Sequence, residues 1–278
     1  ILNPILIFGF LFIPAFGVKG IGIATIISQL VSFLIILFKV LKNERVRNIT
    51  NEYLVPKFLF FKNIFFQSMP ISVSICGYAL AAAIIFTYVG QSGEYAVAGY
   101  GVGTRIEQVV LLPILGINTA IISIIAQNYG ANNLVRIKET YFTAIKYAFI
   151  IMITAGTLVF LSASVITSFF SSDPEVIEYG KRYLKISAFV LPAYPVFFLS
   201  NGFFMALKKS ENAMISNFFR NVLNPIAVFY IAKYINASFE TFFWLWVGIN
   251  WFFSISYFFI IIYYFKLKLN KPSTVVHP

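Results

Sequence analysis

One carboxylate, Glu107, stands between the glycine-rich stretch Gly99-Tyr100-Gly101-Val102-Gly103 and the apolar run Val109 to Leu115. An acid set in so much apolar sequence admits two readings. In hydrocarbon it is an ion-binding group, since a proton or a sodium ion can neutralise a charge that is costly to bury. At a helix start, Thr104-Arg105-Ile106-Glu107 has the spacing of a capping box, with Thr104 capping the first turn and Glu107 bonding back to it. A helix beginning near Tyr95 would instead carry Glu107 about 12 residues, roughly 18 Å, into a span. Arg105 is not its intrahelical partner, because residues two apart point to opposite faces.

Other chemistry is scarce. The one histidine, His277, is next to the last residue, and the one cysteine, Cys76, lies in an apolar run with no partner for an internal disulfide. Nucleophilic and zinc catalysis therefore lack their usual groups. Gly99 to Gly103 is not followed by Gly-Lys-Ser or Gly-Lys-Thr, so a phosphate-cradling loop and ATP as the energy source are not supported. The chain is expected to be no enzyme and to need no cofactor other than a coupling ion.

The elements that position these residues follow from composition. Of 278 residues, 59% are apolar, 19% aromatic and 11% charged, with a mean hydropathy of +0.84. Such a chain has lipid rather than water as its solvent. A bilayer core needs about 20 apolar residues of helix. Seven such runs are present, approximately Gly20 to Phe38, Ser68 to Val89, Val97 to Gln127, Tyr141 to Phe170, Leu184 to Leu207, Met214 to Ala232 and Thr241 to Phe265. Ile1 to Ile13, between Pro4 and Pro14, reads as the stump of an eighth. Alternating short barrel strands are absent, so the fold class is all-α, a polytopic transmembrane helix bundle.

Charge sets the expected orientation. There are 21 Lys and Arg against 10 Asp and Glu, and the longest connection, Lys39 to Lys62, is basic. Arg136 with Lys138, Lys208 with Lys209, and the tail with Lys266, Lys268 and Lys271 fall on the same side, which makes that side and the C-terminus cytoplasmic. Lys181, Arg182 and Lys185 are the exception. The basic excess is read as orientation, with no nucleic-acid partner.

Asn3-Pro4 in Ile1 to Phe8 repeats as Asn224-Pro225 in Val222 to Phe229, with Leu, Ile and Phe matching as well. Read as an internal repeat, the match implies two pseudo-symmetric six-helix lobes, the first incomplete. Residues 1–50 would then hold the end of its fifth helix, its sixth helix and the linker. Residues 51–278 would hold the whole second lobe and a short tail. The start at Ile1, without Met, fits a chain whose first helices are missing. Pro113 with Gly116, Pro192 and Pro195 around Tyr194, and Pro225 are possible bending points, and equally ordinary prolines of membrane helices.

Gly101-x-Gly103-x-Arg105-Ile106-Glu107, then Pro113 and Gly116, then Gln127-Asn128-x-Gly130-Ala131, resemble the signature of the multidrug and toxic compound extrusion (MATE) transporters. Leu2-Asn3-Pro4, Pro14-x-x-Gly17-Val18-x-Gly20 and Ala24-Thr25 are similar to that family's fifth and sixth helices. The resemblance implies twelve helices in two lobes around a central cavity. It also implies efflux of organic, often cationic or aromatic, compounds against an inward flow of protons or sodium ions. Many relatives place an acid where this chain has Asn3, and others place one near Tyr78, so the coupling group here is open. Glu107, Arg105, Asn3, Tyr78, Asn201 and Asn224 are the expected polar substrate or ion residues, and Pro113, Gly116, Gln127, Asn128, Gly130 and Pro192 the expected conformational ones. The intact protein is expected to work as a monomer in the cell membrane, on small-molecule drugs or toxic compounds. The alternatives are a lipid-linked saccharide flippase of similar fold, or an inactive membrane fragment.

Overall fold

The computed structural model describes residues 2–9, 14–42 and 58–269, and every regular element among them is helical. Contacts divide the chain at Asn63 and Ile64 into two compact units. The basic linker between residues 43 and 57 and the tail from residue 270, with Lys271 and His277, lie outside the described residues.

The first unit holds α1 (Leu2–Phe8) and α2 (Val18–Leu41). The chain turns through Gly17 at φ 55°, and the Phe16 amide donates to the Leu6 carbonyl at 2.9 Å. A side chain at Gly20 would strike that same carbonyl, so the glycine permits the close crossing of α1 and α2.

The second unit begins within α3 (Phe58–Val89), at Ile64, and goes on through α4 (Glu94–Gly130), α5 (Leu134–Phe170), α6 (Pro174–Ser187), α7 (Tyr194–Ala206), α8 (Ser210–Phe218), α9 (Asn224–Tyr234) and α10 (Phe239–Tyr264). Among the described residues, five continuous stretches are long and apolar enough to cross a membrane: Val18–Leu41, Glu94–Gly130, Leu134–Phe170, Pro174–Ala206 and Phe239–Leu267. Helices also occupy the other two expected spans. They begin and end beyond the apolar runs, because backbone hydrogen bonding continues until a cap stops it and is indifferent to where the hydrocarbon ends. Asn133 caps α5 by accepting from the Arg136 amide at 3.1 Å, Asp173 caps α6 by accepting from Glu175 at 2.9 Å, and Ser238 caps α10 by accepting from Thr241 at 3.3 Å.

Two expected spans are not uniform helices. The run Leu184 to Leu207 is broken between α6 and α7 by the tight turn Leu191–Ala193, with Pro192 inside it. In lipid the carbonyls freed by such a break need donors. Trp251 Nε1 supplies the Phe189 carbonyl at 2.8 Å and Ser254 Oγ the Ala193 carbonyl at 3.0 Å, both from α10. Between α8 and α9 the helix widens into a π-turn, Phe219–Leu223.

α4 is the axis of the second unit, packed along α5, α6 and α7. Its first half, with Ile106 and Ile114, enters one apolar cluster, and its second half, with Ile121 and Ile125, a second cluster around Tyr141, Phe203 and Phe204. The outward faces are apolar too. On α5, Leu158, Leu161 (75% exposed), Val165 and Phe169 (87% exposed) form one stripe. A stripe of that kind is stable only against lipid or another helix.

The approach of α4 to α6 is set by glycine. A Cβ at Gly99 would lie 2.7 Å from the Gly180 amide nitrogen and 2.8 Å from the Val176 carbonyl oxygen, and one at Gly103 would collide with the Tyr183 ring. Gly101 faces open space. Gly99→Ala and Gly103→Ala should each destabilise the protein by ~1–3 kcal/mol, the usual cost of overpacking, seen as a lowered melting temperature in detergent. Gly101→Ala should leave that temperature unchanged or slightly raised.

Candidate functional site

Helix α4 begins at Glu94 with Gly93 as its cap, so Glu107 lies thirteen positions along it, about 20 Å from its start. The capping-box reading fails: Thr104 is mid-helix and its hydroxyl donates to the Gly101 carbonyl at 3.0 Å. Gly99, Gly103 and Glu107 recur every four residues and share one face. The two glycines let α6 in close, and Glu107 meets the hydroxyls that this approach brings.

Both carboxylate oxygens are occupied. Tyr183, from α6, donates to Glu107 Oε2, and Tyr194, the first residue of α7, donates to Oε1 at 2.6 Å. The two tyrosines come from opposite sides of the break at residues 188–193, so the interruption allows one chain segment to grip the acid twice. Hydrogen bonds to a charged group contribute about 1.5–3 kcal/mol each. Tyr183 packs edge-on against Tyr100 and Phe243, with ring centroids 4.9 and 4.8 Å away. These contacts hold its hydroxyl in place.

Tyr194 has a second neighbour. The guanidinium of Arg220, in the π-turn, lies 4.8 Å from the Tyr194 ring centroid, 4.1 Å from that of Phe197 and 5.7 Å from that of Phe198. Its Nε donates to Asn250 Oδ1 at 3.1 Å, and Asn250 Nδ2 donates to the Trp246 carbonyl at 2.8 Å. Arg220 is 8% exposed. Tyr194 thus stands between an acid and a base, Glu107 at its hydroxyl and Arg220 over its π-face.

The remaining expected residues distribute as follows. Arg105 and Tyr78 are exposed and stand apart from this cluster. Asn3 lies in α1, and its side chain is outside the described set. Asn201 is buried, its Nδ2 donating to Asn217 Oδ1 at 3.3 Å and its Oδ1 accepting from the Tyr257 hydroxyl at 3.1 Å. Asn224 is 1% exposed, and neither amide atom has a partner among the described residues. Pro113 and Gly116 lie inside α4 on its exposed side. Gln127 Nε2 reaches Ser123 at 3.5 Å and Asn128 Nδ2 the Ile124 carbonyl at 2.8 Å, both within their own helix. Gly130 is the last helical residue and does not turn the chain. Asn132, at φ 54°, does so, and Asn133 closes the end with an amide bond to the Asn128 carbonyl at 2.9 Å.

Sequence reasoning did not single out Tyr183 or the Gly99/Gly103 face. The recurrence Gly99-x-x-x-Gly103-x-x-x-Glu107 was the available signal. It was hidden by the intervening Gly101, which makes the stretch read as glycine-rich throughout. The exceptional Lys181 and Arg182 are largely neutralised where they stand. Glu178 pairs with both at 3.0 Å, and Glu240 lies 3.4 Å from Arg182. Among the described residues, no group of three or more His, Cys, Asp or Glu gathers as a metal site.

Comparison with known proteins places this arrangement in a family. The family profile described as MatE matches residues 70–230. YpnP of Bacillus subtilis, a probable multidrug resistance protein, is 26% identical over 248 residues, covering 89% of this chain and 53% of that one. An FAD transporter of Shewanella oneidensis is 24% identical over 237 residues, covering 85% and 52%. The chain therefore spans about half the length of the curated relatives it matches. A solved transporter of the MOP superfamily from Pyrococcus furiosus superposes with a TM-score of 0.86 at 24% identity, over 98% of this chain and 60% of that one, and so shares the fold. The profile match covers more than half of the chain, including Glu107, both tyrosines and Arg220, and the chain belongs to the MatE family of multi-pass membrane transporters.

Proposed function

We propose that the full-length protein is a secondary active multidrug efflux transporter, exporting organic, often aromatic or cationic, compounds in exchange for protons or sodium ions. The observation that carries this reading is Glu107, an acid deep in a membrane-length helix with each oxygen held by a tyrosine from a different side of a broken helix. The names of the relatives, a multidrug resistance protein and an FAD transporter, support an organic substrate with aromatic character.

The coupling step follows from acceptor chemistry. An ionised carboxylate accepts from both tyrosines. Once protonated, one oxygen carries a hydrogen of its own and serves less well as an acceptor, and a sodium ion would draw on the same lone pairs. Either ion loosens one of the two grips, so α6 and α7 change their relation to α4. Substrate favouring the other arrangement would then be exchanged for the ion, without ATP.

Glu107→Gln should abolish gradient-driven efflux in energised vesicles of the full-length protein while leaving the melting temperature within a few degrees. Efflux indifferent to both proton and sodium gradients in the unaltered protein rejects the reading. Tyr194→Phe keeps the ring against Arg220 and deletes only the hydroxyl, so transport should fall about tenfold or more, as for a lost hydrogen bond to a charged group. Orientation is checked separately. With a cytoplasmic C-terminus, a fluorescent-protein fusion at Pro278 should fluoresce, and an alkaline phosphatase fusion there should be inactive.

A further inference from the structure

Arg220 is a cation that the coupling scheme does not use. It is more than nine-tenths buried, yet among the described residues it forms no ion pair, and of its five N–H donors only Nε–H has a partner. The aromatic rings stabilise its charge through their faces but cannot accept its in-plane hydrogens. An arginine left with donors to spare in hydrocarbon is costly to keep without a counter-charge.

The same residue lines a cavity of about 460 Å³ between α7, α8, the π-turn and α10, within the size range of small-molecule sites. Its walls are aromatic, with Phe197, Phe204, Phe253 and Tyr257 among them, and Ser216 and Asn212 add polar atoms. Among the described residues, none lining it is acidic. At the far end Lys209 donates to the hydroxyl of lining Tyr264 at 2.7 Å, adding a second positive charge at the rim. Arg220 lies eleven positions beyond Lys209, about 16 Å deeper along the helix. With Lys208 and Lys209 at the aqueous boundary, as the charge pattern expects, that distance is about half of a bilayer core, too far in for the headgroup of a phospholipid seated at the surface.

We infer that this cavity binds an amphiphilic organic anion, a flat aromatic body with a carboxylate, sulfonate or phosphate group seated on Arg220. The guanidinium fork matches such an oxyanion in two parallel bonds, and the aromatic walls take the rest of the molecule. This is binding within one set of helices, measured without any gradient, so it stands or falls separately from the efflux reading.

The test is equilibrium dialysis of the full-length protein in nanodiscs of neutral phosphatidylcholine, with radiolabelled naphthylacetate and its uncharged analogue naphthylacetamide as probes. The acid should bind saturably and the amide at least about tenfold more weakly. Arg220→Gln should weaken the acid about tenfold or more, with Arg220→Lys between, because a lysine supplies the charge without the fork. Ser216→Phe, which fills the cavity and keeps the arginine, should also remove binding. If Arg220→Gln does not fold, as judged by its melting temperature, the acid–amide comparison and Ser216→Phe decide. No saturable binding of the acid, equal binding of acid and amide, or acid binding unchanged in Arg220→Gln or Ser216→Phe would overturn the inference. So would displacement of naphthylacetate by phosphatidylglycerol added to the discs, which would make this a lipid headgroup site.

Discussion

The carboxylate of Glu107 cannot be left bare in a helix made to cross lipid, and the second unit is arranged around meeting that requirement. Two hydroxyls reach it only because α6 lies against α4 closely enough to exclude side chains at Gly99 and Gly103, and because the chain stops being helical after Ser187 and resumes at Tyr194. A straight helix in place of α6 and α7 would put Tyr183 and Tyr194 about 16 Å apart along its axis, beyond the reach of one carboxylate. The break is therefore as necessary to the site as the acid. The break in turn depends on α10, whose Trp251 and Ser254 satisfy the carbonyls it frees.

Packing elsewhere serves the same geometry through aromatic rings. Tyr100, Tyr183, Phe239 and Phe243 interlock by edge-to-face and offset contacts, which hold ring orientation in a way that aliphatic contacts do not. Tyr88 extends this set by stacking on Phe242 with centroids 4.1 Å apart, while its hydroxyl donates to the Ala237 carbonyl at 2.6 Å. Polar atoms thus sit at the ends of rings whose bodies fill the core. That suits a helix bundle with apolar surroundings on both its inner and outer faces. The exposed stripe on α5 shows the outer side of the same design, since no described helix of this unit covers it and its packing is completed by lipid or by another helix.

Arg220 and Glu107 touch the same tyrosine from different directions, one through the ring face and the other through the hydroxyl. The π-turn at Phe219–Leu223 widens the helix where Arg220 leaves it, and local widening of this sort is frequent at functional positions. An acid held by two hydroxyls and a base that faces an aromatic cavity are thus separated by one ring. Movement of Tyr194 is felt at both.

The sequence by itself determined the lipid solvent, the helical class and the approximate places of the described helices, and it drew attention to Glu107, because hydropathy and charge act residue by residue and along one dimension. It also carried the family resemblance in Gly103, Arg105 and Glu107. It did not determine that Glu107 is deep rather than at a helix start, since Thr104 to Glu107 satisfies a local capping pattern that only the continuous helix from Glu94 overrules. Nor did it single out Tyr183, the pairing of Gly99 with Gly180 or the aromatic enclosure of Arg220. Each depends on distances between helices, which are fixed by how closely backbones approach and where hydrogen bonding is interrupted, and neither quantity is a property of any one stretch of residues.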